Sequence, residues 1–236
     1  MEHLRGMHVL VTGASGGIGR TLVSALLASG ATVTAAARRR TALDSVRADQ
    51  PRSDRLHVAE ADVSRVAHVE SLMDALERGT GPLDAVVHAV GDHAAGPLAE
   101  ISEATLDALV VSGFSSAVLV TRGALRRMIP RKRGRVVLLG ALASQSAAPD
   151  EAVYAALKAA VAHLAQSAAA EARGHGVTVN AVLPGVVDTA ANRARMPAFD
   201  PARWVRPLDV AQAVTALLGE AGGAINGALL TVPGEV

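Results

Sequence analysis

Tyr154 is the sole tyrosine of the chain, and Lys158, one of only two lysines, follows it by four positions in "PDEAVYAALKAAVAHLAQSAAAEA". Residues four apart on a helix share a face, so a phenol and an ammonium spaced this way can serve one site. A phenol ionises near ~10, too high for acid/base work at neutral pH, and a nearby cation favours the phenolate and lowers that value. The pair therefore reads as a tyrosine proton donor tuned by its lysine.

A second constellation lies near the other end of the chain. "TGASGGIGR", Thr12 to Arg20, joins the strand-like "HVLVT" to the helix-forming "TLVSALLASG". Such a strand, glycine turn and helix lets backbone approach a pyrophosphate and aims the helix's unpaired N–H groups and positive dipole end at it. Gly13, Gly17 and Gly19 set the spacing TGxxxGxG.

The elements that must position these residues alternate along the chain. β-branched runs at 8–12, 31–36, 55–60, 84–89, 135–140, 177–183 and 228–232 are seven strand candidates, separated by helix candidates near 17–29, 41–49, 64–78, 103–129, 151–173 and 207–218. This βαβα order predicts an α/β fold, a seven-stranded parallel sheet doubly wound by helices, as one Rossmann-type domain over residues 1–236. Aromatic residues are limited to Phe114, Tyr154, Phe199 and Trp204, so Ala, Val, Leu and Ile must build the core.

Composition removes several classes of function. A formal net charge of +1 with so few aromatic rings gives no footprint for nucleic acid. No cysteine is present, which removes disulfides, thiolate catalysis and Cys-based metal sites. The eight histidines lack HExxH spacing, so no metal site is expected and their default reading is surface or local packing. "MEHLRGMHVLVTG" has no cleavable apolar region and no run of about 18 apolar residues is found, so a soluble, cytoplasmic protein without membrane association is expected. The cationic "RRMIPRKRGR" at 126–135 reads as a solvated turn after a helix C-terminus.

Taken together, the motifs resemble the short-chain dehydrogenase/reductase family, and the resemblance spans essentially the whole chain. Its pattern is most similar to 3-oxoacyl-[acyl-carrier-protein] reductases. The resemblance implies that Tyr154 protonates a carbonyl oxygen while a nicotinamide delivers hydride to the carbon, and that Lys158 also holds the nicotinamide ribose. For the cofactor it implies Gly13, Ser15, Gly17, Ile18 and Gly19 at the pyrophosphate. Asp62 and Val63 fall at the adenine. Ala89, Val90 and Gly91 of "HAVG" pass the cofactor by backbone, and Pro184, Gly185 and Thr189 of "NAVLPGVVDT" hold the carboxamide. Where NAD-preferring members carry an acid, the chain reads Ala37, Arg38, Arg39, and guanidinium groups suit a 2′-phosphate, so NADP(H) is the expected cofactor.

Two positions depart from the family pattern. Ala141 stands where a serine hydrogen-bonds the substrate oxygen, with Ser144 and Ser146 close behind, and Gly113 stands where an asparagine links the lysine to solvent, between Ser112 and Ser115. His88 replaces the first asparagine of NNAG and reads as a packed histidine. The segment between Thr189 and Trp204 is short for a substrate-covering lid. The resulting expectation is an NADPH-dependent reductase of a small-molecule or carrier-bound acyl carbonyl, with "RKRG" and "LLGA" pointing to a 3-oxoacyl thioester. The alternative is a protein of this fold without redox activity: a partner subunit, or an isomerase, lyase or cyclase using Tyr154. Small residues Ala155, Ala156, Ala159, Ala160 and Ala162 predict a homodimer or homotetramer formed by the helices at 103–129 and 151–173.

Overall fold

The computed structural model describes residues 3–50 and 53–235. All seven strand candidates form strands: β1 (His8–Thr12), β2 (Thr32–Ala37), β3 (Leu56–Glu60), β4 (Ala85–His88), β5 (Gly134–Leu139), β6 (Val177–Pro184) and β7 (Leu229–Val232). They pair in the order β3-β2-β1-β4-β5-β6-β7, every pair parallel. Every residue of β1, β4 and β6 is buried, as a strand covered on both faces requires, while the edge strands β3 and β7 are partly open.

Two helical layers cover the sheet, because side chains alternate across its faces. On one face Val9, Val11, Val33, Val87 and Val137 pack against α1 (Gly17–Ala28), α2 (Arg40–Ala48) and a C-terminal helix (Pro207–Leu218) through Leu22, Leu26, Leu43, Val210 and Val214. On the other, Leu10, Val86, Val136, Leu138 and Val179 meet α3 (Val66–Gly79) and two further helices through Val69, Met73, Val120, Ala124, Val161 and Ala165. The core is aliphatic and alanine-rich throughout, as the scarcity of aromatic residues dictates.

The helix expected at 103–129 is interrupted. It runs as α4 (Glu103–Leu109), a π-helical segment (Val110–Ser115) and α5 (Ser116–Arg131). Ser112 lies in the break, its hydroxyl donating back to the Ala108 carbonyl at 2.8 Å, next to Gly113, a poor helix former. By length and composition Glu103–Arg131 is apolar enough to cross a membrane. Its Ala117, Val120, Ala124 and Met128 are instead buried against the sheet layer.

The cationic end of α5 is largely neutralised by α3. Arg127 bonds Glu70 at 3.0 Å and also pairs with Asp74, Arg126 lies 3.3 Å from Glu70, and Arg131 pairs with Glu77. Arg133 then meets Asp84 at 3.2 Å. After β5 comes α6 (Ala152–Glu171), and after β6 a short α7 (Ala190–Arg195) that the sequence pattern did not indicate, capped by Thr189 accepting from the Asn192 N–H at 3.2 Å. The C-terminal helix Pro207–Leu218 is α8.

Candidate active site

From β1 the sheet grows outward to β3, then resumes on the other side of β1 with β4, and this reversal opens a crevice at the carboxyl ends of the strands. A cavity of about 210 Å³ there is lined by Gly13 and Ser15 after β1, Arg38 after β2, Asp62 and Val63 after β3, and Ala89, Val90 and Gly91 after β4. Val111, Ser112 and Ser116, from the π segment and the start of α5, close its side. Of these only Ser112 was noted in the sequence, as a neighbour of Gly113, because the break in the helix that turns them inward is invisible to hydrophobic periodicity.

The glycines of the first turn are there for close approach. Gly13 has φ +71°, and a Cβ on it would lie 2.5 Å from the Ala89 carbonyl oxygen. One on Gly19 would lie 2.1 Å from the Gly13 carbonyl oxygen, so any larger residue would push α1 off the turn. Gly17 sits against Thr189, whose Cγ2 would be 2.8 Å from a Cβ there, which brings the segment after β6 onto the glycine turn. Ile18 packs partly buried against the core. No side chain caps α1 and no acid stands in its first turn, so its leading N–H groups remain for a ligand.

The remaining expected cofactor residues are distributed unevenly. Asp62 Oδ1 accepts from the Ser64 hydroxyl at 2.6 Å and from its N–H at 3.1 Å, which holds the carboxyl below its ordinary range, with help from Arg65 and Arg38. Arg39 is the N-cap residue of α2 and is absent from the cavity wall, unlike Arg38. Pro184 ends β6, paired with Val232, and Gly185 is glycine because a Cβ would lie 2.4 Å from the Pro233 carbonyl oxygen.

Tyr154 and Lys158 stand on the first turns of α6, the lysine buried and the tyrosine partly so. Lys158 Nζ donates to the Leu139 carbonyl at 3.1 Å and lies 5.8 Å from the centre of the Tyr154 ring. The expected tuning of the phenol by this lysine is not met. Burial, seconded by the negative charge of Glu151, pushes Tyr154 up to about 12, while Arg195 opposes the shift. Burial also brings Lys158 down to about 8, so its charge is itself weakly held.

The residue closest to Tyr154 in character is one that sequence reasoning set aside. The His93 and Tyr154 rings lie 4.4 Å apart at 57°. His93 Nε2 is 3.1 Å from Glu151 Oε1, and its Nδ1 is buried without a hydrogen-bond partner. Burial holds His93 below its ordinary value despite that carboxylate. His93 sits in the irregular "GDHAAG" loop, where no period could tie it to a tyrosine far along the chain; the Gly96 N–H, donating to the Asp150 carbonyl at 2.7 Å, folds that loop against α6.

Ala141 is buried, and Ser144 reaches it only by backbone, its N–H donating to the Ala141 carbonyl at 3.0 Å. The Ser144 hydroxyl is buried and unpartnered, whereas Ser146 is exposed. A Cβ on Gly91 would lie 3.2 Å from Lys158 Nζ and 3.9 Å from Gly113 Cα, and nothing lies within 4 Å of where a Gly113 Cβ would stand. His88 is packed, as read from its neighbours: it is 1% exposed, with Nδ1 2.9 Å from Thr12 Oγ1 and Nε2 3.1 Å from Ser116 Oγ. Among the described residues no group of three or more His, Asp or Glu side chains is arranged to hold a metal.

A crevice of this kind is where doubly wound sheets bind their ligands. The family model described as short chain dehydrogenase matches residues 7–198, and the chain belongs to that family of oxidoreductases. It is 31% identical to gluconate 5-dehydrogenase of Gluconobacter oxydans, an alignment covering 99% of this chain and 95% of that one. It is 32% identical to cis-4-hydroxycyclohexanecarboxylate dehydrogenase of Sinomonas cyclohexanicum over 95% of this chain and 94% of that one. Among solved structures, a variant of actinorhodin polyketide ketoreductase with NADPH superposes with a TM-score of 0.91 at 28% identity, covering 97% of this chain and 96% of that one.

Proposed function

We propose that the chain is an NADP(H)-dependent oxidoreductase that interconverts a carbonyl and an alcohol on a small molecule, with Tyr154 as the proton donor in reduction. One observation carries the reading. Gly91 is a wall of the crevice cavity and also the residue whose missing Cβ leaves room for Lys158 Nζ, so the cavity and the Tyr154–Lys158 helix share a boundary. The dinucleotide fits on features of this chain: the Gly13–Gly19 cradle that a Cβ would fill, the uncapped start of α1, and the Arg38 guanidinium at the cavity.

A bound NADPH supplies the hydride. Within this reading Gly13, Ser15, Gly17, Ile18 and Gly19 would present backbone to the pyrophosphate, Arg38 would meet the 2′-phosphate from the cavity wall with Arg39 next to it outside that wall, and Asp62 and Val63 would bound the adenine. Ala89, Val90 and Gly91 flank the ribose, where Lys158 donates hydrogen bonds, and Pro184, Gly185 and Thr189 orient the carboxamide. Tyr154, neutral across the physiological range, donates its O–H to the substrate oxygen and gives up the proton as charge develops there. The NADPH-bound ketoreductase supports the choice of cofactor. Arg131 and Arg133 of "RKRG" are paired with Glu77 and Asp84, so the reading stops at a small-molecule carbonyl and does not extend to a carrier protein. It includes a homodimer or homotetramer built on α4–α5 and α6, which light scattering tests.

The experiment is NADPH oxidation, followed by absorbance across a ketone panel, with Tyr154→Phe as control. Turnover that vanishes in Tyr154→Phe, and calorimetric binding tighter for NADPH than NADH, are expected. Retained turnover in Tyr154→Phe, or preference for NADH, overturns the reading.

A further inference from the structure

The Tyr154 hydroxyl makes no hydrogen bond to any of the described residues. Lys158 Nζ is given to the Leu139 carbonyl at 3.1 Å and stands 5.8 Å from the centre of the Tyr154 ring. Where the phenol oxygen sits therefore depends on what holds the ring. Among the described residues the ring stacked against it is that of His93, with centres 4.4 Å apart and planes tilted by 57°.

His93 is itself held. Its Nε2 lies 3.1 Å from Glu151 Oε1, and because a carboxylate only accepts, neutral His93 carries its proton on Nε2. Backbone bonds fix the loop on either side of it: the Asp92 N–H donates to Ser112 Oγ at 3.3 Å, and the Gly96 N–H to the Asp150 carbonyl at 2.7 Å. The start of α6 makes these contacts at the expense of its own cap. Glu151 stands at the N-cap, yet its side chain bonds no helix N–H and goes to His93 instead. Asp150 before it adopts the left-handed backbone, φ 64°, uncommon outside glycine, and its carbonyl receives the loop. Tyr154 follows Glu151 by three residues, so the tether and the ring it serves rise from the same helical turn. His93 lies outside the wall of the crevice cavity, which leaves Tyr154 as the group through which it acts.

We propose that His93, oriented by Glu151, is a positioning residue that holds the Tyr154 ring so that its hydroxyl meets the substrate oxygen. This rests on the oxidoreductase reading above, and it gives His93 and Glu151 no part in the proton transfer itself.

The test exploits Tyr154 being the only tyrosine: ring-labelled tyrosine gives one set of carbon resonances, whose relaxation reports the ordering of this side chain alone. The wild type should show a rigid ring. His93→Ala and Glu151→Ala should lower its order parameter, the first more than the second. His93→Phe, which keeps a ring without the tether, should restore part of the ordering lost in His93→Ala. In the ketone assay His93→Ala should lower kcat by about ten- to a hundredfold, the cost of a small misplacement of a reacting group, with KM and calorimetric NADPH affinity kept within about twofold. His93→Phe should recover part of that kcat. An order parameter unchanged in His93→Ala, a kcat within about twofold of wild type, or a loss carried by KM or by NADPH affinity overturns the proposal. Should His93→Ala not fold, Glu151→Ala decides in its place: lowered ordering and kcat uphold the proposal, and unchanged values overturn it. Should no ketone turn over in the wild type, the oxidoreductase reading falls by itself, and the relaxation of the Tyr154 ring then decides alone whether His93 and Glu151 hold it.

Discussion

His88 should make the protein acid-sensitive in a way that a single substitution can isolate. Ser116 gives its only hydroxyl proton to the Ser112 carbonyl, so its oxygen must accept from His88 Nε2–H, and Nδ1 then accepts from the Thr12 hydroxyl. The neutral imidazole is fully satisfied, and burial, with Lys158 adding repulsion, depresses the pKa from 6.5 to about 3. The folded state therefore refuses a proton that the unfolded chain accepts, and stability contributed above the unfolded pKa is lost as pH falls from about 6.5 towards 3. With those two values the loss between pH 7 and pH 5 is about 2 kcal/mol. Urea unfolding at both pH values, on wild type and His88→Asn, cancels the contribution of the other titrating groups; the wild type should lose about 2 kcal/mol more than the variant over that interval. Nitrogen chemical shifts of the His88 ring give an independent reading that does not depend on the variant folding. A ring that protonates near 6.5, or equal pH slopes in the two proteins, refutes the argument.

Other expectations follow from the same geometry. Gly19→Ala places a Cβ 2.1 Å from the Gly13 carbonyl oxygen, so calorimetry should show NADPH binding weakened at least about tenfold, with a lowered melting temperature because backbone must shift. Ala141→Ser restores the donor of the family pattern and should raise kcat, bounded at about 10²–10³ by the worth of one preorganised oxyanion donor; unchanged kcat on every ketone turned over would refute that role for position 141.

Most of the fold was legible because period and spacing are local properties. All-buried runs such as "HVLVT" and "VTVNAVL" read as central parallel strands, and each formed within a residue or two of its expected limits. The glycine turn was legible in part for a related reason: Gly19 answers to the backbone of Gly13 and Ala14 a few residues away, whereas Gly13 answers to Ala89 and Val90 far along the chain and was legible only through the spacing of the motif. What escaped depends on elements that meet only in three dimensions. The π segment at Val110–Ser115 hides in a helical pattern because one extra residue per turn barely alters the hydrophobic period, yet it is what turns Val111 and Ser112 into the cavity. α7 is too short to show a period at all.

The polar chemistry of the site has the same origin. Read position by position, the chain lacks two side chains of the family pattern, at Ala141 and Gly113. In the folded protein His93, which no motif predicts, lies against the Tyr154 ring, and the hydroxyl of Ser144, close behind Ala141 in the sequence, is buried and unpartnered. Tyr154 is the side chain that discriminates between the two readings, because a site that still reduces a carbonyl needs its proton, and one that only binds does not.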